Sequence, residues 1–244
     1  MRVVTRYMYI KHAASYPKRK VGRIIALCLV GSGILLLLSV IFPIFSWQLF
    51  YAPQLSSGTV VVPIPNAVLV RSANIKTLLS NVKGATTGFD STKASAWFPT
   101  GNPASGFTKE YELSVPKLGI KQAKVIVGAD DLSKSLIHYG GSGLPGEYGN
   151  AVIFGHSVLP QFFNPNNYKA IFSTLHTLKK GDTIEIVADG VAYKYTIFDF
   201  QIVSPDDISV LEQTYDNSYL TVITCTPPGT YWKRLVIRAK IEKV

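Results

Sequence analysis

"YLTVITCTPPGTYWKRLVIRA", residues Tyr219 to Ala239, decides how the second half of the chain folds. Its flanks are rich in β-branched and aliphatic residues, and Thr226-Pro227-Pro228-Gly229-Thr230 between them is turn chemistry. The stretch therefore reads as two strands joined by a turn. Cys225 stands where the first strand runs out, and Arg234 follows nine positions later at the start of the second. The chain has only two cysteines, and Cys28 lies in a long apolar run, so Cys225 has no plausible disulfide partner. A lone thiol in such a place is either inert filler or chemistry.

The same texture extends upstream to about Phe107. "EYELSVPKL" (Glu110 to Leu118), "QAKVIVGA", "GNAVIFGHS", "DTIEIVA" and "VAYKYTIFDFQIV" are further strand candidates, and Asp189-Gly190 is a two-residue hairpin signal between the last two. Short helices are expected at "DLSKSLIHY", "YKAIFSTLHTL" and "DDISVLEQ". The prediction is a mainly β fold, a closed barrel of about eight strands with short helices, over residues 107–244.

The formal charge of +10 belongs to the N-terminus. Seven basic residues and no acid lie within 1–23, which leaves 18 basic against 15 acidic in the rest. No Arg-rich strip remains, which argues against a nucleic-acid partner. "IIALCLVGSGILLLLSVIFPIF", Ile24 to Phe45, is 22 residues without a charge. As a helix it is ~33 Å long, enough for a hydrocarbon core of ~30 Å. It exceeds a signal-peptide core, and Trp47, Phe50 and Tyr51 follow it as an interfacial belt would. The reading is an uncleaved, single-pass anchor in the cell membrane. Lys18, Arg19, Lys20 and Arg23 put the N-terminus in the cytoplasm, and the rest of the chain lies outside. Residues 46–106 are Ser/Thr/Gly/Pro-rich and read as a stalk or appendage, with one candidate helix between Ser72 and Gly84.

A cysteine nucleophile needs a base, because the thiolate attacks and a free thiol with a pKa of ~8.5 is mostly protonated at neutral pH. His156 follows a hydrophobic strand and a glycine, a strand-end position like that of Cys225. His176 reads as a helix-face residue, and His138 as a loop residue. Spacing alone leaves Arg234 open between a surface residue and a guanidinium aimed at an oxyanion. No metal-ligand spacing, EF-hand, phosphate loop or dinucleotide fingerprint appears, so neither a metal nor a cofactor is expected. "ADD" (129–131) and "SPDDIS" (204–209) read as capping acids.

These residues resemble the sortases, membrane-anchored cysteine transpeptidases of the bacterial surface. Thr221-Val222-Ile223-Thr224-Cys225 is similar to the family's T-L-x-T-C hallmark, with valine for leucine. "GNAVIFGHS", preceded by "LPGEYGN" (Leu144 to Asn150), resembles its histidine element, and Arg234 its arginine. "YELSVPKLGI" is similar to its opening strand. The resemblance implies Cys225 as nucleophile, His156 as general acid/base and Arg234 as oxyanion or substrate-orienting group. Thr224, Thr226 and Ser157 would border the substrate. The implied substrate is an LPXTG-like sorting signal, held as a thioester and passed to an amine of a cell-wall precursor or a pilin-like protein. The short turn "CTPPG" is similar to those of class C and some class D enzymes, yet the Asp-Pro-aromatic lid common in class C is missing. The appendage at 53–106 could serve as a lid instead, and no acidic cluster supports calcium activation. The alternatives are a Cys-His peptidase or cell-wall hydrolase that uses water, and a non-catalytic tethered binding domain with Cys225 inert. A Ser-x-Gly-Cys context, usual in L,D-transpeptidases, is not found at Cys225.

Overall fold

A computed structural model describes residues 18–53, 92–98 and 110–242. The basic residues before Lys18 and the expected helix between Ser72 and Gly84 lie outside the described residues. The chain divides into two units, one ending at Phe42 and the other beginning at Pro43.

The N-terminal unit is the helix α1, Lys18–Ser46, which continues into the second unit's first residues. It is apolar all round, and Leu27, Leu35 and Phe42 are fully exposed. Its serines do not leave unpaired donors in that apolar surface: Ser32 and Ser39 hydroxyls donate to Leu29 and Leu36 carbonyls at 2.9 and 2.8 Å. Among the described residues this is one helix long and apolar enough to cross a membrane.

Among its described residues the second unit holds eight strands: β1 Glu110–Val115, β2 Ile120–Val127, β3 Leu136–His138, β4 Gly149–Phe154, β5 Thr183–Ala188, β6 Val191–Val203, β7 Ser218–Thr226 and β8 Lys233–Ile241. They close into a barrel in the order β1-β2-β3-β4-β7-β8-β6-β5. Closure leaves no open edge, the arrangement expected for so many short strands. The β5–β6 hairpin turns on Asp189 and Gly190, both at positive φ (51° and 79°), as a type I′ turn requires.

Strand alternation sorts the residues into two cores. Leu220 and Val222 of β7, Leu235 and Ile237 of β8, and Ala151 and Ile153 of β4 point into the barrel. Ile223, Cys225, Val236, Val152 and Phe154 belong to a second cluster on the other face, where Ala94, Trp97, Phe98, Leu132 and Val210 cover them. The patch β4-β7-β8 is thus buried on both faces, which is why "AVIF", "TVIT" and "LVI" read as continuous apolar runs rather than alternating ones.

Two expected helices are not formed. "DLSKSLIHY" supplies β3, whose three residues pair parallel to β2 and two of them, Ile137 and His138, antiparallel to β4, so that it bridges the gap between them. "YKAIFSTLHTL" is a run of turns with i→i+3 bonds, ending in the 3₁₀ turn Leu175–Thr177. The physical cause lies at its centre: Phe172 N–H donates to the His156 carbonyl at 3.1 Å, and Ser173 Oγ accepts from Val158 N–H at 2.9 Å. Those bonds to another segment replace an α-helical ladder. The third expected helix is a 3₁₀ turn, Ile208–Leu211, capped by Asp207, whose carboxylate accepts from Ser209 N–H. Pro116–Leu118 likewise leaves the first strand as a 3₁₀ turn.

Candidate active site

Cys225 is the eighth residue of β7, and the antiparallel β7–β8 ladder sets it directly opposite Arg234. The nine-residue spacing noted in the sequence is therefore a cross-strand pair. Arg234 Nη1 lies 3.5 Å from Cys225 Sγ and also donates to the carbonyls of Tyr231 (3.4 Å) and Lys233 (3.3 Å). Its exposure is only 1%. The surface-arginine alternative is thereby excluded, and the residue is held from below by the turn's own backbone.

On the opposite side β7 pairs in parallel with β4, with Phe154 beside Ile223. Two more residues along each chain bring His156 level with Cys225. Gly155 makes this junction: its N–H donates to the Ile223 carbonyl (3.2 Å), and its own carbonyl accepts from Thr224 Oγ1 (2.9 Å). A Cβ at Gly155 would meet Phe172 at 2.1 Å, so only glycine permits the close approach. Ser157 Oγ donates to the Cys225 carbonyl at 2.9 Å, a further tie between the two chain segments. Cys225 is thus flanked by an arginine from β8 and a histidine from the end of β4.

The hydroxyls of Ser157 and Thr224 are engaged in these ties, so both residues brace the site. Thr226 differs, because its buried Oγ1 has no hydrogen-bond partner among the described residues. His156 is 7% exposed, its Nδ1 has no hydrogen-bond partner among the described residues, and no hydrogen bond joins its ring to Cys225. Burial, with a smaller contribution from Lys169, lowers its pKa below the ordinary 6.5. Burial pushes the Cys225 thiol up to about 11, against the opposing pull of Arg234. In this form the pair holds a thiol and a neutral imidazole at neutral pH.

The other two histidines among the described residues are placed differently. His138 is fully buried at the end of β3. Ser142 Oγ gives its one proton to the Tyr139 carbonyl (2.8 Å) and accepts from Val152 N–H (3.1 Å), so at 3.0 Å it accepts from His138 Nε2–H as well. Nδ1 then accepts from Tyr111 Oη at 2.7 Å. Both ring nitrogens are occupied, and the residue is structural rather than a loop residue. His176 sits buried in the 3₁₀ turn Leu175–Thr177.

Part of the 53–106 appendage, which the sequence offered as a possible lid without singling out any residue in it, covers the site. Ala94, Trp97 and Phe98 pack in the cluster that contains Cys225. The Trp97 ring lies over the Arg234 guanidinium, 4.7 Å from its centroid to Cζ, and Phe98 stacks on Phe154 at 5.3 Å. The segment is fastened at its start, where Ala94 N–H and Ser95 N–H donate to Asp130 and Lys93 bridges to Asp131. Cys225 has no exposed surface as a result. The signal available in the sequence was an isolated aromatic pair, "AWF", in a Ser/Thr/Gly-rich stretch. Among the described residues no cluster of three or more His, Cys, Asp or Glu could hold a metal ion.

The sortase domain model matches residues 113–242, more than half of the chain. The chain belongs to the sortase family. It is 28% identical over 135 residues to sortase A of Streptococcus agalactiae, which covers 55% of this chain and 50% of that protein. It is 29% identical over 163 residues to sortase D of Bacillus subtilis, covering 64% and 74% respectively. The match thus spans about half the length of the first of these relatives. A solved pilus-related sortase C of Group B Streptococcus aligns with a TM-score of 0.49 at 32% identity, covering 57% of this chain and 69% of that one. The sortase barrel expected from the sequence is the one observed, with its eight strands closed.

Proposed function

We propose that this sortase is a cysteine transpeptidase that cleaves an LPXTG-like sorting signal and transfers the acyl part to an amine. The observation that carries the reading is the flanking of Cys225 by Arg234 at 3.5 Å and by His156 from β4. In the first half-reaction the Cys225 proton passes to His156 and the thiolate attacks the threonine carbonyl carbon. The oxyanion forms beside Arg234, a fixed cation in a site poor in water. The C–N bond to glycine breaks, His156 returns its proton to the leaving amine, and a thioester remains. In the second half the amine of a cell-wall precursor or pilin-like protein attacks the thioester carbon. His156 takes the amine's proton, the C–S bond breaks, and the leaving thiolate recovers that proton from His156 to restore the resting pair.

The substrate reaches the thiol only after residues 92–98 lift away, since Trp97 and Phe98 occupy the space over Cys225 and Arg234. The exposed Tyr231 and Trp232, in the turn between the two catalytic strands, border the groove so opened. The apolar helix anchors the enzyme in a single pass. The chain before it is cytoplasmic, residues 46–106 form a stalk that carries the cover, and the catalytic domain begins near 107 outside the cell.

The buried thiol favours a second reading, a tethered binding domain in which Cys225 is inert. One experiment separates the two. The full chain in detergent micelles is given a fluorogenic sorting peptide with and without triglycine, and the protein is analysed by intact mass. The expected result is a thioester adduct and a triglycine-linked product, both abolished by Cys225→Ala. Cleavage without amine capture would assign water as acceptor and make the enzyme a hydrolase. Absence of any adduct, even with Trp97 replaced by alanine, would support the binding domain.

A further inference from the structure

The face that carries Cys225 continues along β7 to a second site. Alternation places Thr221 and Tyr219 on that face, four and six residues before the thiol, or ~13 and ~20 Å away along the strand. The 3₁₀ turn Ile208–Leu211 separates the two regions, with Val210 packed in the cluster around Cys225. Beyond it lies a cavity of about 260 Å³ whose lining includes Arg238, Asn150, Thr221, Phe198 and Tyr219, with Glu212 and Thr214 also contributing.

Arg238 makes this cavity more than a surface irregularity. It is half-buried, and its inaccessible Nε–H has no hydrogen-bond partner among the described residues. Its neighbour across the β6–β8 ladder is Asp199, but that carboxylate accepts from Lys180 at 3.4 Å and from Gln201 at 3.1 Å. Its neighbour across β7–β8 is the neutral Thr221. A buried donor with no acceptor loses solvation without recompense, which an acceptor brought to this guanidinium would relieve. The cavity floor is fixed: Thr221 Oγ1 donates to Asn150 Oδ1 at 2.7 Å, and Asn150 Nδ2 donates to the Glu212 carbonyl at 3.2 Å. Phe198 and Tyr219, ring centroids 6.1 Å apart, supply aromatic walls.

We propose that this cavity binds an organic carboxylate joined to an apolar group, the chemistry of a peptide C-terminus or of an acidic side chain in a peptide. The carboxylate meets the Arg238 guanidinium where it lines the cavity. The adjoining apolar group lies against Phe198 and Tyr219. Glu212 at the exposed side disfavours a more highly charged anion such as phosphate. The site stands apart from the thiol chemistry and does not depend on it.

The test uses the full chain in detergent micelles, labelled with ¹⁵N at arginine, and follows the Nε–H signal that Arg238→Met removes. The titrants are N-acetyl-leucine for a terminal carboxylate and N-acetyl-aspartic acid α-amide, with its side-chain carboxyl free, for a side-chain carboxylate. N-acetyl-leucine amide and inorganic phosphate are the controls. The expected result is saturable movement of the Arg238 signal with one or both carboxylates in the millimolar range, as suits a small ligand. Calorimetry should show the affinity falling about tenfold or more in Arg238→Met. Thr214→Trp, at an exposed position, should block the cavity with the fold intact. The carboxylate that binds more tightly identifies the source. Equal response to the amide or to phosphate, or no movement with either carboxylate, would overturn the proposal, as would unchanged binding in both variants.

Discussion

Cys225 and Arg234 are direct partners across the β7–β8 ladder, with Nη1 3.5 Å from Sγ. A lysine at 234 would keep the charge but lose the planar fork and the ties to the Tyr231 and Lys233 carbonyls. Arg234→Lys is expected to lower kcat for thioester formation by about 10²–10³-fold, the size of a lost oxyanion donor, with a smaller change in KM. Single-turnover acylation followed by mass spectrometry checks it. A loss confined to KM would make Arg234 a substrate anchor only.

Trp97 governs access to the thiol. Its replacement by alanine should hydrate Cys225 and bring its pKa down from about 11, and each unit of fall gives about tenfold more thiolate at fixed pH below the pKa. The rate of labelling by a methanethiosulfonate at pH 7.5 is the measurement, expected to rise about tenfold or more with the barrel's Tm unchanged. Labelling no faster than in the parent chain would show that the segment is not the barrier.

The two pKa shifts fix the pH profile. The reacting pair needs one shared proton, so activity falls on the acid side when His156 gains a second one, below 6.5, and on the alkaline side when Cys225 loses its own, toward about 11. Between them kcat/KM should be flat. Alkylation of the resting enzyme should rise with pH toward the same alkaline limit, and an alkylation midpoint near 8.5 would show an uncovered thiol in solution.

His138 predicts acid sensitivity of the fold. Burial holds its pKa at about 4 in the folded chain, against an ordinary 6.5. The unfolded chain therefore takes the proton first, and stability present above 6.5 is lost as pH falls from 6.5 toward 4, by about 3 kcal/mol. His176, also held at about 4, adds to the slope. Urea unfolding at pH 7 and pH 4.5 measures it, and His138→Gln should remove a substantial part of the pH dependence. An unchanged slope in that variant would assign the acid response elsewhere.

The strands were legible because each is a short run with turn chemistry at its ends, and Asp189-Gly190 even fixed a register. The two misplaced helices show where local pattern gives way. Leu136–His138 is recruited by β2 and β4, and the chain around Phe172 bonds to His156, both long-range demands that a local window cannot see. Cys225 and His156 stood out by their strand-end positions. Arg234 did not, because its role depends on a register in which residues nine apart become opposite neighbours. Trp97 and Arg238 left still less trace: one lies in a segment without periodicity, and the other's significance is the lack of a partner.

The cover over Cys225 also bears on how long the enzyme lasts. In the proposed topology Cys225 faces the oxidants outside the membrane, and the route from sulfenic to sulfonic acid begins with an accessible thiolate. With no exposed surface and a pKa of about 11, the resting cysteine meets neither condition. The aromatic segment thus acts as a chemical shelter between turnovers, and the enzyme's vulnerability should rise with the time it spends working.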